Sequence, residues 1–140
     1  FVTVRGYGAY HHDILRKKER RAKVSDVGRA SNAYGVYCEG GVKNKKKSLA
    51  LLGKYYLQIK DTRKLGSAAL ELAFVGTGRS DSYMTTGISL WDIAAGILFV
   101  REAGGALLHL DGTPYEWSEF RQRRKFDLLA TNGSLKIKLV

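Results

Sequence analysis

Cysteine, proline and methionine each occur once in this 140-residue chain. The lone Cys38 excludes an internal disulfide and fits a reducing compartment, so a cytoplasmic location is expected. With Pro114 as the only proline, a proline-rich linker is excluded, and no low-complexity segment or internal repeat stands in for one. Acidic residues are scarce too: 13 Asp and Glu face 24 Lys and Arg, for a net charge of +11. Such a balance draws anions, whether nucleic acid, anionic lipid or phosphorylated metabolites. Long apolar runs are also missing. The longest, glycine aside, is Ile93 to Val100, too short to cross a bilayer, and no signal peptide is visible; no membrane partner is expected.

What remains is a chain that is 44% hydrophobic, enough to build one core of ordinary size. Its positive charge gathers in three runs: Arg16 to Arg21, Lys43 to Lys47 and Arg121 to Lys125. Each lies between apolar segments and reads as solvated loop or helix end. Nucleic acid is the alternative partner, not favoured, because no RNA-recognition signature or zinc-ligand spacing accompanies the runs.

Periodicity gives the order of elements. Phe1 to Tyr10 reads as a strand with Gly6 and Gly8 at a turn, and the first basic run as a loop. Ala33 to Cys38 reads as a strand closed by Glu39-Gly40-Gly41, Lys46 to Lys54 as a short helix, Tyr55 to Ile59 as a strand, and Thr62 to Leu65 as a short extended piece. The i, i+3, i+4 spacing of Ala69, Leu72 and Ala73 predicts a helix over 66–75, capped by Ser67 or Gly66 and stopped by Gly76 and Gly78. Strands follow at Ser80 to Met84, Ala106 to Leu110 and Phe126 to Thr131, with the longest helix at Trp91 to Ala103. Asp111-Gly112-Thr113-Pro114 is a turn, and Ser134 to Val140 a terminal helix or extended tail. Strands alternating with helices predict an α/β fold, a layered sandwich.

The helix beginning at Trp91 raises the chemical question. Asp92 in a first turn faces unpaired N–H groups and the positive end of the helix dipole, so a capping role is the plain reading. The following apolar residues predict a partly buried end, and Ala94, Ala95 and Gly96 allow close approach. A carboxylate in such a place is either tightly paired or holds a cation.

Trp91-Asp92-Ile93-Ala94-Ala95-Gly96, followed by Ala103-Gly104-Gly105, resembles the C-terminal signature of the inositol monophosphatase superfamily, the lithium-sensitive, magnesium-dependent phosphatases. Phe1 to Tyr10, Arg63 to Ala69 and Gly78 to Tyr83 resemble further family segments in the same order. The resemblance implies the C-terminal half of that fold, a layered α/β/α sandwich with a mixed sheet. Residues 1–23 would close a preceding domain as a hairpin, and 24–140 would form the C-terminal domain. Phe1 opens a strand with no lead-in, so the chain is expected to begin inside a larger protein.

The function implied is Mg²⁺-dependent hydrolysis of a small phosphate monoester, such as inositol monophosphate, fructose 1,6-bisphosphate or a related sugar or nucleotide phosphate. Asp92 would be a metal ligand, and Ser67, Ala68, Thr85 and Arg63 would contact substrate. No residue of this chain is assigned a catalytic role beyond these. Thr85 stands seven residues before Asp92, where inositol-type members carry a Glu, so a hydroxyl replaces a charged acceptor there. The family's Glu-Glu pair and Asp-Pro-x-Asp-Gly-Thr segment have no counterpart here; Asp111-Gly112-Thr113 follows the WD helix and is turn chemistry. Alone the chain is expected to be inactive, needing an N-terminal domain or partner chain, and a homodimer is expected. The competing expectation is an inactive basic module that binds nucleic acid or a protein partner.

Overall fold

The computed structural model describes residues 1–39 and 45–140. Gly40 and Gly41, which close the first strand read after the basic loop, and Lys43 and Asn44 of the second basic run lie outside the described residues.

The chain opens with a three-stranded antiparallel sheet of β1 (Val2–Val4), β2 (Gly8–Asp13) and β3 (Lys18–Arg21), in that order. Two corrections to the sequence reading arise here. Phe1 to Tyr10 is not one strand but two, folded back at Gly6, and the basic run expected as a loop contributes β3. A strand of Lys-Glu-Arg-Arg carries no apolar face, so hydrophobic alternation cannot reveal it. It forms because an edge strand needs only one ladder, here to β2, and keeps its side chains in water. Glu102 fastens this sheet to the rest: its carboxylate accepts from the amides of Gly6 (2.8 Å) and Gly8 (2.9 Å).

The remainder is a five-stranded mixed sheet. After a single 3₁₀ turn (Ala30–Asn32) come β4 (Tyr34–Glu39), α1 (Lys45–Gln58), β5 (Asp61–Arg63), α2 (Ala68–Gly76), β6 (Ser82–Ser89), α3 (Leu90–Glu102), β7 (Ala106–Leu108), a short α4 (Glu119–Gln122) and β8 (Lys125–Thr131). The strand order is β5-β4-β6-β8-β7, with β5, β4 and β6 parallel and β8 antiparallel to both of its neighbours.

Alternation along the central strands splits the core in two. Tyr83, Leu128 and Ala130 pack with Leu72, Ile93, Ile97 and Val100 from α2 and α3. Met84 and Leu129 pack on the opposite face with Leu51 and Tyr55 from α1 and with Leu135, Ile137 and Leu139 of the tail. The result is the expected α/β/α sandwich. The tail is extended, with every second residue buried, rather than helical.

The helix read as ending at Lys54 runs to Gln58 and absorbs the strand expected over Tyr55 to Ile59. Leu51, Tyr55 and Ile59 recur every fourth residue and all are buried, while the Tyr55 hydroxyl meets Ser82 Oγ at 2.7 Å. Tertiary packing outweighs the β-propensity of the tyrosine pair. No periodicity announces α4, a four-residue helix too short to show one.

Candidate active site: a cleft between two helix starts

The parallel strands β4, β5 and β6 run in one direction, and a crevice at their carboxyl ends is the usual ligand position of such a sheet. Here that crevice is a cleft of about 550 Å³. Cys38 and Glu39 from the end of β4, Gly66 to Ala69 leading into α2, Ile88 near the end of β6, and Trp91 and Asp92 in the first turn of α3 line it.

The α2 wall is built by three local devices. Gly66 takes φ +81°, a left-handed conformation that side-chain-bearing residues adopt at a cost. Ser67 then caps the helix, its Oγ accepting from Leu70 N at 3.4 Å. Beneath them Glu71, fully buried, accepts with Oε1 from the amides of Leu65 (2.8 Å) and Gly66 (3.1 Å). Burial raises its carboxyl above the ordinary range, against the pull of those two amides. Sequence pattern missed Glu71, because it stands one position beyond the place where a capping-box acid belongs.

The two motif aspartates differ sharply. Asp81, nearly buried, is saturated: its oxygens accept from Ser25 Oγ at 2.5 Å and from Tyr34 N at 2.7 Å, which pins the start of β4. Asp92 is exposed at the cleft rim, and among the described residues no hydrogen bond or ion pair holds its carboxylate. The expected partial burial of this end is corrected. Trp91 is 74% exposed, and α3 buries Ile93, Gly96, Ile97, Phe99 and Val100, all beyond its first two residues. The first turn lies at the rim of the cleft, and among the described residues no second layer covers it.

Of the residues expected to contact substrate, Ser67 and Ala68 share the cleft with Asp92. Arg63 and Thr85 do not line it. Arg63, exposed, turns back on its own strand to Asp61 Oδ2 at 2.6 Å and to Thr62 O at 2.8 Å. Thr85 is fully buried beside Cys38 in the β4–β6 register. Cys38, half-buried and missed by motif, is held in its thiol form by burial and by the neighbouring Glu71.

The donor set fits one arm of a magnesium site, not a whole one. Asp92 offers the hard carboxylate oxygen that Mg²⁺ prefers, yet no group of three His, Cys, Asp or Glu among the described residues could hold a metal ion. Glu39, the other carboxylate in the cleft, is engaged with Lys64 Nζ at 3.1 Å.

The model of the inositol monophosphatase family matches residues 1–136. The chain belongs to the inositol monophosphatase family. An inositol-1-monophosphatase of Mesorhizobium japonicum is 39% identical over 114 residues, 80% of this chain and 41% of that protein. A protein named Nus factor SuhB, from Xylella fastidiosa, is 33% identical over 142 residues, 98% of this chain and 48% of that one. Among solved structures, Mycobacterium tuberculosis SuhB superposes with a TM-score of 0.77 at 27% identity, covering 94% of this chain and 48% of that one. The inositol monophosphatase of Anabaena superposes with a TM-score of 0.68 at 34% identity, covering 84% and 46%. The chain therefore spans less than half the length of each of these four relatives.

Proposed function

We propose that this chain supplies one wall of the active site of a Mg²⁺-dependent phosphomonoesterase acting on a small phosphorylated polyol, sugar or nucleotide. The observation that carries this reading is the unpaired Asp92 carboxylate at the α3 start, facing the start of α2 across a cleft. A free carboxylate beside unsatisfied helix N–H groups suits a cation and a phosphate held together, each offsetting the other's charge. Magnesium, when bound, neutralises charge that develops on the oxygens of the displaced phosphate.

The chain's own residues then have separable tasks. Asp92 would hold the cation through its carboxylate. The first amides of α2 face the anionic substrate, while Ser67 Oγ is committed to its cap. Glu71 fixes the turn from which those amides project. Thr85, buried within β6, stands where inositol-type members carry a Glu, and the missing carboxylate favours a substrate other than myo-inositol 1-phosphate. The other metal ligands come from outside this chain, on a preceding domain of the same protein or on a partner, and the three-stranded sheet within residues 1–23 would join such a domain.

Phosphate release by the complete protein tests the reading. Asp92→Asn is expected to lower kcat by two or more orders of magnitude and to weaken Mg²⁺ binding measured by calorimetry. Turnover close to wild type in that variant would sink it.

A second reading has its own observation. Lys47, Arg123 and Lys125, from two sequence-distant basic runs, line a second cleft of about 600 Å³ together with Asp111, Glu119 and Asp127; Lys47 pairs with Asp127 at 3.3 Å and Arg123 with Glu119 at 3.5 Å. A basic module that binds nucleic acid would use that cleft. Oligonucleotide binding that weakens steeply with salt and is lost on Arg123→Glu would favour it over catalysis.

A further inference from the structure

The tip of the β2–β3 hairpin takes no part in either cleft, and its composition is unusual for a turn. β2 ends at Asp13 and β3 begins at Lys18. Between them Ile14 is 86% exposed and Leu15 is 96% exposed, the most exposed large hydrophobic side chain among the described residues. Lys17 turns the chain with φ +49°. Arg16, Lys17, Lys18, Arg20 and Arg21 follow, all exposed. Only two acidic residues accompany them, and both are engaged: Asp13 with Arg16 at 3.6 Å and Glu19 with His12 at 2.8 Å. β3 is an edge strand paired only to β2, so the hairpin offers two aliphatic side chains at its point with a collar of cations behind them.

Three occupants can be weighed by chemistry. A nucleic acid would satisfy the cations, but it offers no apolar phase to Ile14 and Leu15. No aromatic side chain stands between Asp13 and Lys18 to stack on a base. A protein groove would take the aliphatic pair and would need an acidic rim placed to match the collar. An anionic bilayer meets both demands at once. Its headgroups attract the Lys and Arg side chains, and the boundary below them takes branched aliphatic side chains out of water.

We propose that the β2–β3 hairpin is a peripheral docking element for an anionic lipid surface. Ile14 and Leu15 insert, and Arg16, Lys17, Lys18 and Arg20 contact headgroup phosphates. The attachment is superficial and reversible. It is independent of any span, and no helix among the described residues is long and apolar enough to cross a membrane. The sequence expectation of no membrane partner concerned spanning segments and signal peptides, which a hairpin tip does not resemble.

Cosedimentation of the purified full-length protein with vesicles tests this. Vesicles of phosphatidylcholine alone are compared with vesicles that also carry phosphatidylserine. Binding is expected only to the anionic vesicles, and it should fall as salt is raised. Lys17→Ser and Lys18→Ser should each weaken it about fivefold. Ile14→Ser combined with Leu15→Ser should weaken it about tenfold or more, with the circular dichroism spectrum and turnover of a soluble phosphate monoester unchanged. No sedimentation with anionic vesicles at low salt overturns the proposal. Undiminished binding by the doubly substituted tip overturns insertion. Binding to a single-stranded oligonucleotide but not to vesicles assigns the hairpin to nucleic acid instead. None of these outcomes bears on Asp92.

Discussion

Asp81 and Asp92 stand eleven positions apart in one family-like stretch, and the structure gives them opposite tasks. Asp81 receives two short hydrogen bonds and holds the start of β4. Truncating it to alanine strands the Tyr34 amide, and chemical denaturation should show a loss of about 1–3 kcal/mol. Asp92→Asn leaves no neighbour unpaired, so the same measurement should stay within about 0.5 kcal/mol of wild type. The pair thus separates folding from chemistry in one experiment. Glu71 adds a pH signature. Its folded carboxyl titrates above its ordinary value of 4.5, so protonation is favoured by folding. The associated stability is fully present below 4.5 and is lost as pH rises through the raised folded value. Glu71→Gln keeps an oxygen for the Leu65 and Gly66 amides but cannot ionise. Denaturation midpoints of this variant should therefore lose that decline across the mildly acidic range, and an unchanged decline would assign it to another group.

Helices α2 and α3 decide the shape of the cleft, because both begin at it and they pack on each other below it. One point of close approach is Gly96, where an added Cβ would stand 2.5 Å from Leu72 Cδ1 and 2.7 Å from Leu72 Cβ. Gly96→Ala should cost about 1–3 kcal/mol by overpacking, despite the better helix propensity of alanine. If the helices separate to accept the methyl, KM for a phosphate monoester in the complete protein should rise more than kcat falls. Stability equal to or above wild type would show that the interface yields freely. Sequence periodicity located both helices to within a few residues, since each buries one stripe. It could not show that Gly96 is a contact point, because a small residue on a helix looks alike whether it faces another helix, a ligand or water.

For the whole molecule, the count of oxygen ligands is decisive. Mg²⁺ keeps several waters unless carboxylates converge on it, and this chain brings one free carboxylate to the cleft. The isolated chain should release no phosphate from a monoester above the uncatalysed rate. The complete protein should lose turnover on chelation and regain it with added Mg²⁺. Phosphate release by the chain alone would mean that the site is complete without further ligands. The basic charge also acts at this scale. Runs that look equivalent in the sequence end in different places: 16–21 on an exposed hairpin, 45–47 and 121–125 near one another at the second cleft.

The amino-acid sequence by itself determined the order of most elements, the layered α/β class, the stop signals at glycine and the Asp92 motif. These depend on short-range periodicity, on backbone conformations open chiefly to glycine, and on residue strings only a few positions long. It misplaced what depends on distant partners. α1 runs through Tyr55 because Ser82 and the β6 face receive that ring, and β3 exists because β2 offers it a ladder. Only the tertiary structure decided which polar residues face the cleft. Arg63 and Thr85 are close in sequence to residues that do, yet one folds back to Asp61 and the other is buried within β6 beside β4. A motif fixes spacing along the chain, whereas reach into a site depends on which side of a packed sheet a side chain leaves from.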